Sequence, residues 1–330
     1  MQRTVRPLLD WYKTNARPLP WRVNITPYKV WVSEIMLQQT RIEAARDYYT
    51  RFMEAFPTVE ALAGADIEQV LKLWEGLGYY SRARNLHKCA QKICSEYGGV
   101  FPDSAEELKK LPGIGEYTAG AIASIAFNRP ESAVDGNVLR VYTRLRCCAD
   151  NVGDEKVKSR VRKELRALIP EGECAVFTSA WMELGELVCT PGMPDCALCP
   201  LSAFCKAHAE GKETAYPCLP PKRPRRIERR RVLLLLCGDK CAVRKRPEKG
   251  LLAGLWELPN DEEETVPTGA EFCGETVHIF SHVEWHMRGY ILRTDRELPG
   301  YVWVSREERR AIAIPSAFHF YLNVLSKMEY

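Results

Sequence analysis

Apolar residues recur at three- and four-residue intervals from the N-terminus to about residue 210, the period that lays one apolar stripe along a helix. The pattern predicts helices over Val5–Thr14, Tyr28–Gln39, Ile42–Ala55, Ile67–Trp74, Ala83–Tyr97, Val138–Leu145, Lys156–Leu168 and Ala175–Val188, separated by Pro-, Gly- and Asp-containing turns. No internal repeat is visible. The stretch YPCLPPKRPRR then breaks the period with four prolines and reads as an interdomain linker, residues 216–229. Beyond it the period shortens. RVLLLLC, the turn Gly238-Asp239-Lys240 and Cys241–Arg246 predict a β-hairpin. Thr276–Phe280, Glu284–Leu292 and Tyr301–Val304 predict further strands, and Ala317–Lys327 a closing helix. The expected architecture is a mainly α region, 1–215, followed by a small α+β domain, 230–330.

One junction between helices stands out. LPGIGEYTAG, residues 111–120, joins a short helical pattern to a second run rich in Ala and Gly. Ser104 and Glu107 are spaced as a capping box for the first, and Pro112 stops it. Gly113 and Gly115 lack a Cβ, so the turn accepts φ > 0 and a bulky ligand can approach its N–H groups. The following helix N-terminus favours an anion. A plain glycine turn between two helices accounts for the same residues.

Composition narrows the picture modestly. With 330 residues, 46% hydrophobic and 27% charged, the chain is long enough for two folded domains. No apolar run of about 18 residues occurs, and the N-terminus lacks the apolar core of a signal peptide, so a cytoplasmic protein is expected. The net charge is only +4, but Lys222–Arg231 holds seven basic residues and one acid, a run expected to be a solvated linker or to favour a polyanion. Thirteen cysteines in a reducing compartment argue for a metal site. Cys189, Cys196, Cys199 and Cys205, spaced C-x6-C-x2-C-x5-C, suit four-thiolate zinc or a [4Fe–4S] cluster equally by chemistry.

The glycine hairpin about seventy residues ahead of that cysteine loop resembles the helix-hairpin-helix DNA glycosylases with an iron–sulfur cluster. PWR (20–22), VWVSEIMLQQT (30–40), LWEGLGYYSRARNLH (74–87), VDGNV (134–138), GLLAGLWELP (250–259) and FSH (280–282) resemble the MutY-type adenine DNA glycosylases. The resemblance implies two helical subdomains, about 26–130 with the hairpin, and 1–25 with 131–215 carrying a [4Fe–4S] loop on the four cysteines. It implies a monomer acting on double-stranded DNA with adenine opposite 8-oxoguanine or guanine.

Two carboxylates take named roles on that basis. Glu34 is the only charge among Val30–Leu37, and a desolvated carboxyl keeps its proton near neutral pH. The resemblance makes it the acid that protonates adenine N7. Asp135 precedes a helix and suits a cap, while the resemblance makes it the carboxylate that stabilises the sugar cation, with Asn137 orienting the site. Tyr117 stands where bifunctional relatives such as endonuclease III carry a Schiff-base lysine, so strand cutting through an amine is not expected. Tyrosine also occurs there in thymine mismatch glycosylases.

The resemblance also assigns DNA contacts. Gln39 and Tyr79 would wedge beside the opposite base, Trp21 and Arg22 would line the base pocket, and Arg82 and Arg84 would contact phosphates. The second domain resembles a Nudix-like domain without the hydrolase box, with Ser281, between Phe280 and His282, at the 8-oxoguanine check. Two positions depart from the pattern. Ser179 replaces the Gln or Glu that reads the adenine edge, and Glu116 adds an acid to the hairpin, which is expected to weaken DNA affinity slightly. A thymine glycosylase of G·T mispairs and a non-catalytic damaged-DNA-binding protein are the alternative readings.

Overall fold

The computed structural model describes residues 1–221, 224–262 and 265–328, in two compact units: Met1–Gly64 with Asn85–Pro221, and Ala65–Arg84 with Lys222–Tyr330. The first unit is helical, and most of its helices follow the apolar periods closely, Ile42–Ala55 and Val5–Asn15 among them. The helix Pro27–Leu37 opens on a Thr26 cap that accepts from the Lys29 N–H, and ends two residues sooner than expected. The chain leaves the helix at Gln38, where ψ is 109°, and Gln39 follows at φ +58°. This helix is buried almost all round, as its apolar composition requires. Leu8, Leu9, Val138, Val161, Phe177 and Trp181 form a core in the same unit.

At the glycine junction the two helices are Ala105–Leu108 and Glu116–Ile125. Ser104 Oγ accepts from the Glu107 N–H at 3.3 Å, while the Glu107 carboxylate turns to Lys110, so one half of the expected capping box forms. Gly113 takes φ +75°, and a Cβ there would stand 2.7 Å from Asn85 Cβ. Gly115 is instead extended, at φ −93°, and caps the second helix with open space where a Cβ would be. The hairpin therefore needs glycine at 113 for conformation and leaves its helix N-terminus uncovered at 115.

The second unit is built on a mixed sheet of β1 (Arg226–Cys237), β2 (Lys240–Lys245), β3 (Trp256–Glu257), β4 (Asn260–Asp261), β5 (Glu271–Ile279), β6 (Val283–Arg293) and β7 (Val302–Val304). The order is β3-β2-β1-β6-β5, with β4 on β1 and β7 on β2, and only β1 and β6 run parallel among the pairs found. Trp285, Met287 and Val232 pack one face against Phe318, Tyr321 and Leu325, the last two from the closing helix His319–Lys327. The basic run is a correction to the expected linker: Arg226 to Arg231 form the first half of β1. Alternation explains it, because Arg230 lies 4.3 Å over the Trp285 ring and pairs with Glu228, giving that strand half a polar but satisfied inner face. Lys222 and Arg223 of that run lie outside the described residues. A helix Arg306–Ala311 was also not expected, although Ser305 and Glu308 complete a capping box at its start.

This unit recruits a segment that the sequence assigns to the helical region. Glu75 Oε1 accepts from the Ile314 N–H at 2.9 Å, and Lys72 Nζ donates to the Ile312 carbonyl at 3.1 Å. Glu68 accepts from Lys245 and from the Trp256 indole at 2.8 and 3.2 Å. Residues 65–84 thus behave as a strap of the C-terminal unit.

Candidate active site

A cleft of ≈ 1080 Å³ opens in the helical unit, and Trp21, Arg22, Glu34, Gln39, Tyr117, Asp135, Asn137 and Ser179 all line it. Glu34 comes from the buried helix Pro27–Leu37, and the Tyr117 hydroxyl donates to its Oε2 at 2.5 Å. Burial pushes the Glu34 carboxyl up to about 7; the Tyr117 hydrogen bond pulls against this, and the neighbouring Asp135 adds to it. A large share of Glu34 therefore keeps its proton at neutral pH. Tyr117 itself is raised well above its ordinary value, by burial first and by Glu34 next, so it stays a neutral donor.

Asp135 forms the helix cap that its position suggested. As N-cap of the helix Gly136–Arg146 it accepts from the Val138 N–H at 2.7 Å through Oδ1. Its Oδ2 accepts from Asn137 Nδ2 at 2.9 Å. Burial raises its carboxyl while these two hydrogen bonds lower it, leaving a net rise. The Asn137 side chain is fixed in turn. Its Nδ2 also donates to Glu186 at 2.7 Å, and its Oδ1 accepts from Arg140 at 2.6 Å. Gly185 makes room for it, since a Cβ there would lie 2.6 Å from Asn137 Cβ.

Arg22 is engaged rather than open. With Arg17 it grips Glu183 through hydrogen bonds of 2.8–3.0 Å. Burial would raise Glu183, but the hydrogen bonds from Arg17 and Arg22 bring it down to about 2. This arginine–carboxylate clamp, and Glu186 beside Asn137, were missed from the sequence. The signal that picked out Glu34, an acid set among apolar helix positions, was present in WMELGEL as well, at both Glu183 and Glu186. Trp21 is buried edge-on against Tyr49 at 5.3 Å, and Ser179 is partly buried on the helix Cys174–Leu187. Glu116 pairs with Lys109 at 3.2 Å and faces Arg162 at 4.0 Å, so its charge is offset within the protein.

Gln39, exposed, sits at the cleft with its left-handed backbone. In the other unit Tyr79 is 48% exposed at φ +48°. Arg82 is turned inward instead of toward a phosphate: it is buried, donates to the Leu77 and Gly78 carbonyls, and lies 5.3 and 5.5 Å over the Trp74 and Tyr79 rings. It shapes the loop that presents Tyr79. Arg84 is partly buried, which lowers its guanidinium below the usual range against the opposing pull of Glu248. Ser281 and His282 are exposed in the turn between β5 and β6, 3.2 Å apart, while Phe280 anchors that turn 5.0 Å from the Trp285 ring.

Cys189, Cys196, Cys199 and Cys205 are free, partly buried and within electrostatic reach of one another. The buried Arg144 holds their loop, donating to Cys189 Sγ at 3.4 Å and to the Thr190 and Gly192 carbonyls. A tetrahedral zinc with bonds of about 2.3 Å would bring four sulfurs to roughly 3.8 Å of each other. Among the described residues the group of three or more donor atoms found within 4.8 Å is Cys196, His208 and Glu213, not the thiols. The sulfurs are spread more widely than one zinc ion needs.

The family model of the HhH-GPD superfamily base excision DNA repair proteins matches residues 32–170, and that of the NUDIX domain matches residues 231–324. Adenine DNA glycosylases of Rattus norvegicus and Homo sapiens are 36% and 35% identical over 94% of this chain, which spans 76% and 71% of theirs. That of Buchnera aphidicola subsp. Acyrthosiphon pisum is 32% identical, covering 93% of each. A solved thermostable thymine-DNA glycosylase is similar at TM-score 0.55 and 26% identity, over 62% of this chain and 95% of that one. A non-covalent endonuclease III–DNA complex is similar at TM-score 0.54 and 27% identity, over 64% and 98%. Among the described residues no helix is long and apolar enough to cross a membrane.

Proposed function

The chain belongs to the adenine DNA glycosylases of the helix-hairpin-helix base excision repair superfamily, and from that premise we propose that it releases adenine mispaired with 8-oxoguanine or guanine without cutting the strand. The observation that carries the reading is the pair of carboxyls in one cleft, the buried Glu34 that keeps much of its proton near neutral pH and the partly buried Asp135 poised beside it. Glu34 gives its proton to adenine N7, which turns the base into a neutral leaving group. Asp135 keeps negative charge opposite the sugar as the N-glycosidic bond breaks and positive charge gathers at C1′. Tyr117 steadies the Glu34 carboxyl and offers no amine, so no Schiff base with the sugar forms there.

The base must leave the duplex to reach this cleft, at a cost of a few kcal/mol. Gln39 and Tyr79 are suited to fill the vacated stack, and the open Gly113–Gly115 turn to meet a phosphate through backbone N–H groups. Ser281, presented on a turn held by Phe280, supports a check of the opposite purine, since its hydroxyl can accept from N7–H of 8-oxoguanine. Cys189, Cys196, Cys199 and Cys205 would hold a [4Fe–4S] cluster, and their wide spread and the Arg144 brace support it over zinc. The cluster would supply cross-linking that keeps a proline-rich loop folded.

Single-turnover assays on duplexes carrying A opposite 8-oxoguanine, A opposite G and T opposite G test the reading. Adenine release from the first, faster than from the second, is expected, with strand breaks only after alkali. Release from the T·G duplex alone would establish the thymine reading instead, and binding without release in every duplex would establish the non-catalytic one. Purified protein is expected to be brown with absorbance near 400 nm. In the same assay Ser179→Gln is expected to sharpen the preference for adenine over other bases.

A further inference from the structure

Glu186 has no part in the chemistry above, yet it touches the residue that holds Asp135. It lines the cleft from the exposed side of the helix Cys174–Leu187. Both N–H donors of the Asn137 amide are taken, by Asp135 at 2.9 Å and by Glu186 at 2.7 Å, and its Oδ1 accepts from Arg140 at 2.6 Å. A turned-over amide would set its oxygen against two carboxylates, so a single orientation is selected. Arg140 is itself fixed on the Gly185 and Cys189 carbonyls.

We propose that Glu186 is a positioning residue for base release: it holds the second Asn137 N–H while Asp135 holds the first, and its charge adds to that of Asp135 as the sugar becomes cationic. The inference rests on the glycosylase reading. In the free protein water screens this charge. A duplex laid over the cleft removes that water, and the same charge then acts through a lower dielectric. Two carboxylates within 3 Å of one amide nitrogen favour a cationic transition state over the neutral nucleoside. They do nothing for binding a polyanion.

Glu186→Gln removes the charge and keeps an oxygen that accepts from Asn137, while Glu186→Ala removes both. Each is compared with the parent for single-turnover adenine release opposite 8-oxoguanine at saturating protein, for affinity toward an uncleavable duplex, and for thermal unfolding. Glu186→Gln is expected to release adenine about tenfold more slowly, equivalent to about 1.4 kcal/mol. Its duplex affinity should be equal or higher, because one negative charge has left a DNA-facing surface, and its melting temperature unchanged. Glu186→Ala should lose at least as much rate. A parental rate in Glu186→Gln overturns the proposal whatever Glu186→Ala does, and so does a loss that more protein restores. An inactive parent overturns the adenine reading and this inference with it, whereas an active parent matched by Glu186→Gln overturns this inference alone.

Discussion

Replacing Gly185 by alanine tests whether the catalytic turn is held by packing. The added Cβ would stand 2.6 Å from Asn137 Cβ, 3.1 Å from its Cα and 3.2 Å from its carbonyl carbon. Carbon atoms rest about 3.5–4.0 Å apart, so roughly 1 Å must be found. Two of the three atoms struck are backbone, and no side-chain rotation relieves them. Either the helix Cys174–Leu187 retreats or the turn at Asp135 to Asn137 shifts. Overpacking of this kind costs about 1–3 kcal/mol, and a 1 Å misplacement of a catalytic group costs about a hundredfold in rate. The expected variant is folded, unfolds several degrees earlier, binds duplex DNA like the parent and releases adenine about a hundredfold more slowly in single turnover. A rate within twofold of the parent, with unchanged unfolding, would refute the idea that this close approach sets the position of Asp135.

Three other changes separate the contributions. Glu34→Gln should abolish base release yet stabilise the fold at alkaline pH. The folded carboxyl is raised from 4.5 to about 7, so the parent loses stability as pH rises through that window. At about 1.36 kcal/mol per pH unit the variant gains up to about 3 kcal/mol at pH 8 and nothing at pH 4, as denaturant titrations at the two pH values will read. Tyr117→Phe removes a hydrogen bond that lowers Glu34, so the alkaline fall in the single-turnover rate should move to higher pH; a fall that stays put or moves lower refutes the assignment. Glu75→Ala leaves the Ile314 N–H and Lys72 without that acceptor, at about 1–3 kcal/mol. Faster amide exchange at Ile314 should report it, and unaltered exchange would show the strap to be dispensable.

Much of this was legible because it depends on local chemistry. The apolar period located the helices, and burial of Glu34 followed from its being the lone charge in VWVSEIML. Asp135 read as a cap because Asp before a helix is one. What escaped were partnerships between residues far apart in sequence. The clamp of Arg17 and Arg22 on Glu183 spans more than 160 positions, and no local pattern announces which arginine meets which acid. The resemblance implied a phosphate contact for Arg82, but two aromatic rings and two carbonyls turn it in. The basic run hid a strand, since charge masks β alternation until the partner strand supplies Trp285 and its neighbours.

The strap formed by Ala65–Arg84 alters what a deletion of this chain would mean. Cutting between 216 and 221 looks like a clean way to remove the C-terminal domain, because the prolines there mark a boundary in sequence. Residues 65–84 would then remain in the shortened chain with Glu68, Lys72 and Glu75 deprived of the groups they bind. The severed domain, for its part, would lack the chain that satisfies Ile312 and Ile314. Any change in DNA handling by a truncated protein therefore reflects two losses at once, the Ser281 turn and the footing of the Tyr79 loop. Only point changes in one or the other can tell which loss was responsible.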